Sequence, residues 1–554
     1  MRGRLCMSNR IWKLSVLPAV LACLTAFDAA AWGSRAQRAI CSTAIQVVRG
    51  TYPNAFKTED VNYNEDVFRG ADADPAILNG GKPFAREEDA MAAVEHEIRL
   101  LREVRKFGFG SYFSYRMGLL GAVTADLVLP FSLDPTAEAA HIREQLEADV
   151  DKILDRFTFT SEKQNLKYIR DGEKYLAERR AFFSDSRPII ANDYQTGKGS
   201  SGYMKEAAQI FFARSVSSVA DVWNTVLRIA GEPADVAPSE KAVIGYLVAE
   251  IQYLLQEKGN FNQAVKSYNN LKQVAKNAPD AFEKAGDLFY AYGIRNLSVA
   301  AAPAEEAKER GVREWRVAYD MPGSERREIG TKLSRHYIGV GEALLASAQR
   351  PGASDQDLPN ALHAFTQALE FDQTSRTAAQ RINETNIAIK ERNERRSVNS
   401  VIIASAEKVK VQAEKARVNG DFGNAITTYT QAVNLYQTID DEFTDQATVA
   451  KDGIKEIGKS ITDIINQVLD AASDEIDKGD KAVTEHRFED AQACYERVPN
   501  VLGVVPGDET TTHGKEKRDV LDLAKKKIDD CKEAKRRWEE AEARRKAEAQ
   551  AAQK

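Results

Sequence analysis

Histidine is too sparse in this chain to build a His-rich metal centre: six occur in 554 residues, scattered from His96 to His513. Cysteine is rarer still, with five, and none has the spacing of a zinc knuckle. An excess of basic charge is missing too. The 77 Lys and Arg against 83 Asp and Glu leave a net charge of -6, which gives no electrostatic case for binding nucleic acid. β-Branched runs of period two are scarce, so strands are not expected. No Gly-rich phosphate loop, GxSxG elbow or HExxH helix supplies a familiar catalytic centre. What remains is helix-forming sequence, 29% of it charged, and the expected fold class is all-α.

The chain opens with Arg2, Arg4, Arg10 and Lys13, an apolar stretch from Leu14 to Phe27 and the small residues Ala29-Ala30-Ala31. That layout reads as a secretory signal peptide, 1–31, cut after Ala31, too short to span a bilayer. Export to a periplasmic or extracellular space is expected. Val20-Leu21-Ala22-Cys23 is an imperfect lipidation box, and membrane association is expected only if Cys23 is lipidated. With Cys6 and Cys23 removed, Cys494 and Cys531 could pair and leave Cys41 as a buried thiol. A mature chain of this length needs more than one domain. The two prolines of Glu232-Pro233-Ala234-Asp235-Val236-Ala237-Pro238 mark a linker, 232–240, after a first domain of residues 32–231.

The centre of the first domain is Tyr115 to Leu133, YRMGLLGAVTADLVLPFSL, a long apolar helical run carrying one carboxylate, Asp126. Leu119, Ala122, Val123, Leu127 and Leu129 would bury it, and a buried carboxylate needs a cation, a metal or several donors. An Arg such as Arg116, or backbone donors from a neighbouring loop, would serve. The run also resembles the central motif of the zinc-dependent phospholipase C and fungal single-strand nuclease superfamily, His-x-x-x-Asp-x-x-x-x-Pro-x-His. Asp126 and Pro130 match, while Ala122 and Ser132 stand where the histidines belong. Trp32 at the expected cleavage point resembles the family's N-terminal zinc-chelating Trp. Asp72, in Phe68-Arg69-Gly70-Ala71-Asp72-Ala73-Asp74-Pro75, resembles its zinc-binding loop Asp, which can also act as the base. His141 is the loose match to a later His-x-x-x-Glu pair, with Gln145 in place of the Glu. Gln37 replaces another zinc histidine. The resemblance therefore implies Trp32, Asp72, Asp126 and His141 as vestigial metal ligands, too few for the zinc-dependent chemistry. Ca²⁺ or Mg²⁺ on Asp72, Asp74 and Asp126, with Glu87 or Glu88, is the minor alternative. His96 reads as a solvated histidine, and Ala220 and Trp223 as packing residues.

A motif recurs beyond the linker. Gly259-x-Phe261-x-x-Ala264-Val265-x-x-Tyr268 returns as Gly420-x-Phe422-x-x-Ala425-Ile426-x-x-Tyr429, and in weaker form as Phe488-x-x-Ala491-x-x-x-Tyr495 and Leu358-x-x-Ala361-Leu362-x-x-Phe365. A small alanine lets two helices approach closely, and the aromatic one turn on fills the space between them. The pattern resembles the second helix of a tetratricopeptide repeat, with irregular spacing that calls for extended or degenerate repeats over 241–514. Residues 515–554, rich in Lys, Arg, Glu and Ala, read as a charged, solvated capping helix. Together these readings describe an exported binding or scaffold protein: a phospholipase C-like domain without catalysis, and repeats that hold a protein partner. The rival is an active metal-dependent phosphodiester hydrolase with an altered site.

Overall fold

The structure, a computed structural model, describes residues 32–552 except 133, 135, 159, 162–164, 229–236, 300, 351–352 and 508–510. The expected signal peptide, its cleavage point, Cys23 and residues 232–236 of the expected linker lie outside the described residues. Every regular element described is a helix, and the one extended pairing is an isolated antiparallel bridge between Lys57 and Asn62. The all-α class follows from the sequence as expected. The chain forms two compact units that divide after Ile329.

The first unit is built around α4 (Ser111–Leu127), against which α1 (Ser34–Arg49), α2 (Asn64–Ala71), α3 (Glu87–Val104) and α8 (Met204–Leu227) pack. Its apolar residues are buried on all sides, as a helix that is hydrophobic all round requires. The helix starts four residues earlier than Tyr115 and stops at Leu127; the stretch expected to continue it turns at Val128 to Ser132, where Pro130 cannot extend a helix. The crossing of α2 on α4 brings backbone onto backbone. A methyl at Gly118 would lie 1.9 Å from the carbonyl oxygen of Val67, and one at Gly70 would lie 1.8 Å from that of Tyr115. On the opposite flank the Trp223 indole donates to the carbonyl of Met117 at 2.8 Å, so Trp223 does pack rather than react. Helices α5 (Ala137–Ile153), α6 (Gly172–Ser184) and α7 (Arg187–Gln195) complete this layer.

Four more helices belong to the same unit: α9 (Glu240–Gln256), α10 (Phe261–Val274), α11 (Pro279–Asn296) and α12 (Ala301–Asp320). The first unit therefore continues past the expected linker: α9 packs on α3 and α4, on α4 through the rings of Tyr112 and Tyr115 against its own Tyr246 and Tyr253.

The division falls in the first turn of α13 (Arg326–Ala348). The second unit then alternates short and long helices: α14 (Asp357–Phe371), α15 (Arg376–Val418), α16 (Phe422–Tyr436), α17 (Thr444–Thr484), α18 (Phe488–Val501) and α19 (Thr512–Ala552). A long helix serves two short ones. Gly453 in the first part of α17 lies under the ring of Tyr436 from α16, and Gly479 near its end lies under Tyr495 from α18. Along α15 the fully buried residues recur every seventh position, Ala378, Thr385, Arg392, Asn399, Ala406 and Ala413, a narrow seam of the kind two packed helices share. The first part of α19 is not solvated as expected: Ala524 and Cys531 are buried, and Trp538 stacks on His486 at 5.8 Å. Cys494 and Cys531 are both free thiols, the first accepting from Arg497 at 3.0 Å and the second donating to the carbonyl of Phe488 at 3.5 Å.

The recurrent Gly-x-Phe is a helix junction. Gly259 and Gly420 take left-handed backbone, with φ of 61° and 76°, and end the preceding helix. Asn260 and Asp421 then cap the next one, accepting from the amides of Gln263 at 3.0 Å and Asn424 at 3.2 Å. In the weaker copy His486 takes the glycine's place at φ 57°, and Arg487 gives no side-chain cap. The Ala and the aromatic that follow are buried in all four copies. Asp421→Ala is expected to cost about 1 kcal/mol and Gly420→Ala about 1–2 kcal/mol in the urea unfolding of the second unit.

Candidate functional site

Asp126 is wholly buried, and what faces it comes from the start of the described chain. The backbone N–H of Trp32 donates to its Oδ1 at 3.2 Å, and the Gln37 amide donates to both oxygens at 3.3 and 3.2 Å. The Trp32 indole N–H takes the adjacent carbonyl of Ala125 at 3.2 Å, so the fully buried ring has its polar edge satisfied. Donors thus reach the carboxylate from Gln37 on α1 and from Trp32, two residues before that helix. Arg116, the expected cation, turns instead to Glu97 on α3, with which it forms a buried pair at 2.6 and 2.9 Å.

Asp72 closes α2 and is gripped by Arg38, whose Nε lies 3.0 and 2.9 Å from the two carboxylate oxygens. That hydrogen bond is the main reason the Arg38 guanidinium is held above its ordinary pKa. Between the acids lies Cys41, a buried thiol as expected; burial first, then the charges of Asp72 and Asp126, push it up to about 12. Cys41 is thus kept as an inert thiol. His141 is exposed on α5, with its ring 3.2 Å from the Gln145 amide. The part of α5 that reaches α1 is Asp151, which accepts from the amide of Ala36 at 3.1 Å and lies about 15 Å along the helix from His141. Of the four implied ligands, then, Trp32 and Asp126 meet, Asp72 stands nearby in an ion pair, and His141 is elsewhere. The remaining acids of the Ca²⁺ alternative are also engaged separately: Asp74 caps the turn at Ala76, at 2.8 Å, and Glu87 pairs with Arg180. Among the described residues no three His, Cys, Asp or Glu side chains form a group that could hold a metal ion. His96 is exposed.

Two concavities share α9 as a wall. One, of about 950 Å³, is lined by Ile244, Val248 and Ala249 together with Pro279 and Ala281 of α11 and the Pro322-Gly323 turn. Its polar margin carries both signs, Glu240 and Lys241 on α9, Asp280 and Lys284 on α11. The other, of about 510 Å³, lies beside Asp72 and is walled by Tyr112, Tyr115 and Tyr253. Sequence reasoning did not find it, although Tyr112 with Tyr115 and Tyr246 with Tyr253 each fall at helical spacing. Behind these rings burial pushes the Glu250 carboxyl up to about 7, against a hydrogen bond from Ser267 that lowers it. A raised pKa in the folded state means stability that is present below the unfolded value and lost as pH rises through about 7. Glu250→Gln is therefore expected to change the melting temperature little at pH 5, and at pH 8 to stabilise the first unit by about 1–2 kcal/mol, discounted for the partial exposure of the side chain.

Comparison with known proteins gave no match to a family model and none to a curated protein. No helix among the described residues is long and apolar enough to cross a membrane.

Proposed function

We propose that this is an exported binding and scaffold protein. In this reading its N-terminal helices have the arrangement of a zinc-dependent phospholipase C or nuclease without the chemistry, and tetratricopeptide-like hairpins hold a protein partner. Export rests on the basic and apolar layout of residues 1–31. The observation that carries the binding role is the groove along α9 and α11, where an apolar floor of Ile244, Val248 and Ala281 lies between margins of mixed charge. Such a surface suits an extended peptide with alternating apolar and charged side chains. The loss of catalysis is supported by the buried amide and backbone donors on Asp126, which occupy the oxygens a metal would need.

Selection of displayed peptides on the full chain tests the role. Peptides recovered on the wild type are expected to lose at least tenfold in affinity on Val248→Glu. Recovery of none, or equal binding to both proteins, overturns it. Elemental analysis of the protein starting at Trp32, beside Asp72→Ala and Asp126→Ala, tests the loss of catalysis. Two or three zinc ions per chain, absent from both variants, would replace that reading with the metal-dependent hydrolase.

A further inference from the structure

The tyrosine-walled pocket beside Asp72 shares only Ala249 and Gln252 with the peptide groove and has a different chemistry. Tyr112 and Tyr115 stack with ring centroids 5.8 Å apart at 17°, and Tyr253 closes on them at 5.5 and 5.0 Å. Two of the hydroxyls are tied down away from any ligand: Tyr253 donates to Asp66 at 2.7 Å, and Arg116 donates to the Tyr112 oxygen at 3.1 Å. Tyr112 and Tyr253 are buried and held by these bonds, and they back the half-buried Tyr115, whose ring is the aromatic surface left to the pocket. Ile77, 40% exposed, extends this apolar wall at the rim.

The rest of the rim is polar and evenly matched. Gln252 and Gln256 lie one turn apart on α9, the first donating to the second at 3.1 Å, which leaves one amide oxygen and one amide nitrogen of the pair turned to other partners. Asp72 and Glu257 supply acceptors, and each is already paired with an arginine, Arg38 and Arg69. With each carboxylate neutralised by its arginine, the rim holds no unpaired charge to draw an ion, and a neutral ligand disturbs neither pair. Groups that both donate and accept suit a rim of alternating amides, carboxylates and guanidinium; hydroxyls do this. An apolar C–H face suits the rings. The volume, about 510 Å³, lies in the range of small-molecule sites.

We infer that this pocket binds a neutral saccharide unit, with a C–H face on Tyr115 and Ile77 and hydroxyls on Gln252, Gln256 and Asp72. The inference does not depend on the peptide groove or on the absence of catalysis.

The test is isothermal titration of the full chain with neutral mono- and disaccharides of glucose, galactose, mannose and N-acetylglucosamine, beside choline and phosphocholine. At least one neutral sugar is expected to bind with a dissociation constant on the order of 1 mM. Tyr115→Ala should weaken it about tenfold, and Gln252→Ala with Gln256→Ala severalfold, with circular dichroism unchanged. The two glutamines are exposed on α9, so their double variant decides the matter if Tyr115→Ala does not fold. Absence of binding by every neutral sugar to about 50 mM, binding of choline or phosphocholine alone, or sugar binding that survives the folded variants overturns the inference.

Discussion

Replacing Gly118 by alanine is expected to remove at least about 3 kcal/mol from the stability of the first unit, beyond the usual 1–3 kcal/mol of core overpacking. The added methyl would sit 1.9 Å from the Val67 carbonyl oxygen, 2.7 Å from its carbon and 3.0 Å from Cα. All three are backbone atoms inside α2, so no side chain can rotate out of the way. The helices must separate by about 1 Å or more, and the layer of α1, α2 and α8 around α4 opens with them. Against a total stability of roughly 5–15 kcal/mol this is a large fraction. In a unit of this size it should lower that unit's thermal transition by at least about 5 °C. Gly245→Ala is the matched comparison: a methyl there meets nothing within 4 Å, and the helical position should gain up to about 1 kcal/mol. Equal melting of the two variants would show that α2 and α4 do not cross this closely.

That crossing was not legible in the sequence. Gly70 reads as part of an Asp-rich loop and Gly118 as one of several small residues in an apolar run, and nothing in their local spacing says that they face each other. The recurrent motif beyond residue 241 was more open to reading. The Ala and aromatic pairs at Ala264 and Tyr268, Ala361 and Phe365, Ala425 and Tyr429, and Ala491 and Tyr495 are one turn apart, so a local period announces a face that must be buried. The glycine and cap before two of them announce the junction. At Asp126 the sequence showed a need without its answer. Arg116 lies ten residues away on the same helix, about 15 Å along the axis, too far to turn back. The donors came instead from Trp32 and Gln37, separated from it by 94 and 89 positions. In the sequence Gln37 reads only as a missing histidine, yet its amide donates to both oxygens of the carboxylate. The prolines near residue 233 pointed to a domain boundary. The compact unit runs on to Ile329, because the pairing of α4 tyrosines with α9 tyrosines is a contact between distant segments that no window can register.

Removing Glu97 is the second change expected to be severe. The Arg116 side chain is 11% exposed and that of Glu97 3%, and their two hydrogen bonds join α3 to α4 directly behind the tyrosine pocket. Burial disfavours the Arg116 charge, yet Glu97 beside it, with the Tyr112 hydroxyl, holds its pKa above the ordinary value. Glu97→Ala leaves that guanidinium charged and buried without its counter-ion, a loss of about 3–5 kcal/mol. The damage should also reach the pocket, since Arg116 holds the Tyr112 oxygen at 3.1 Å. A double variant separates charge from packing. Glu97→Met with Arg116→Met removes both ions and keeps similar volume, and it is expected to recover most of the loss, to within about 1 kcal/mol of the wild type or above it. Urea unfolding of the wild type, each single variant and the pair closes the cycle, with a coupling energy on the order of 3 kcal/mol. If the double variant is as unstable as Glu97→Ala alone, the loss lies in packing between α3 and α4, and the ion pair is not what orders the tyrosines.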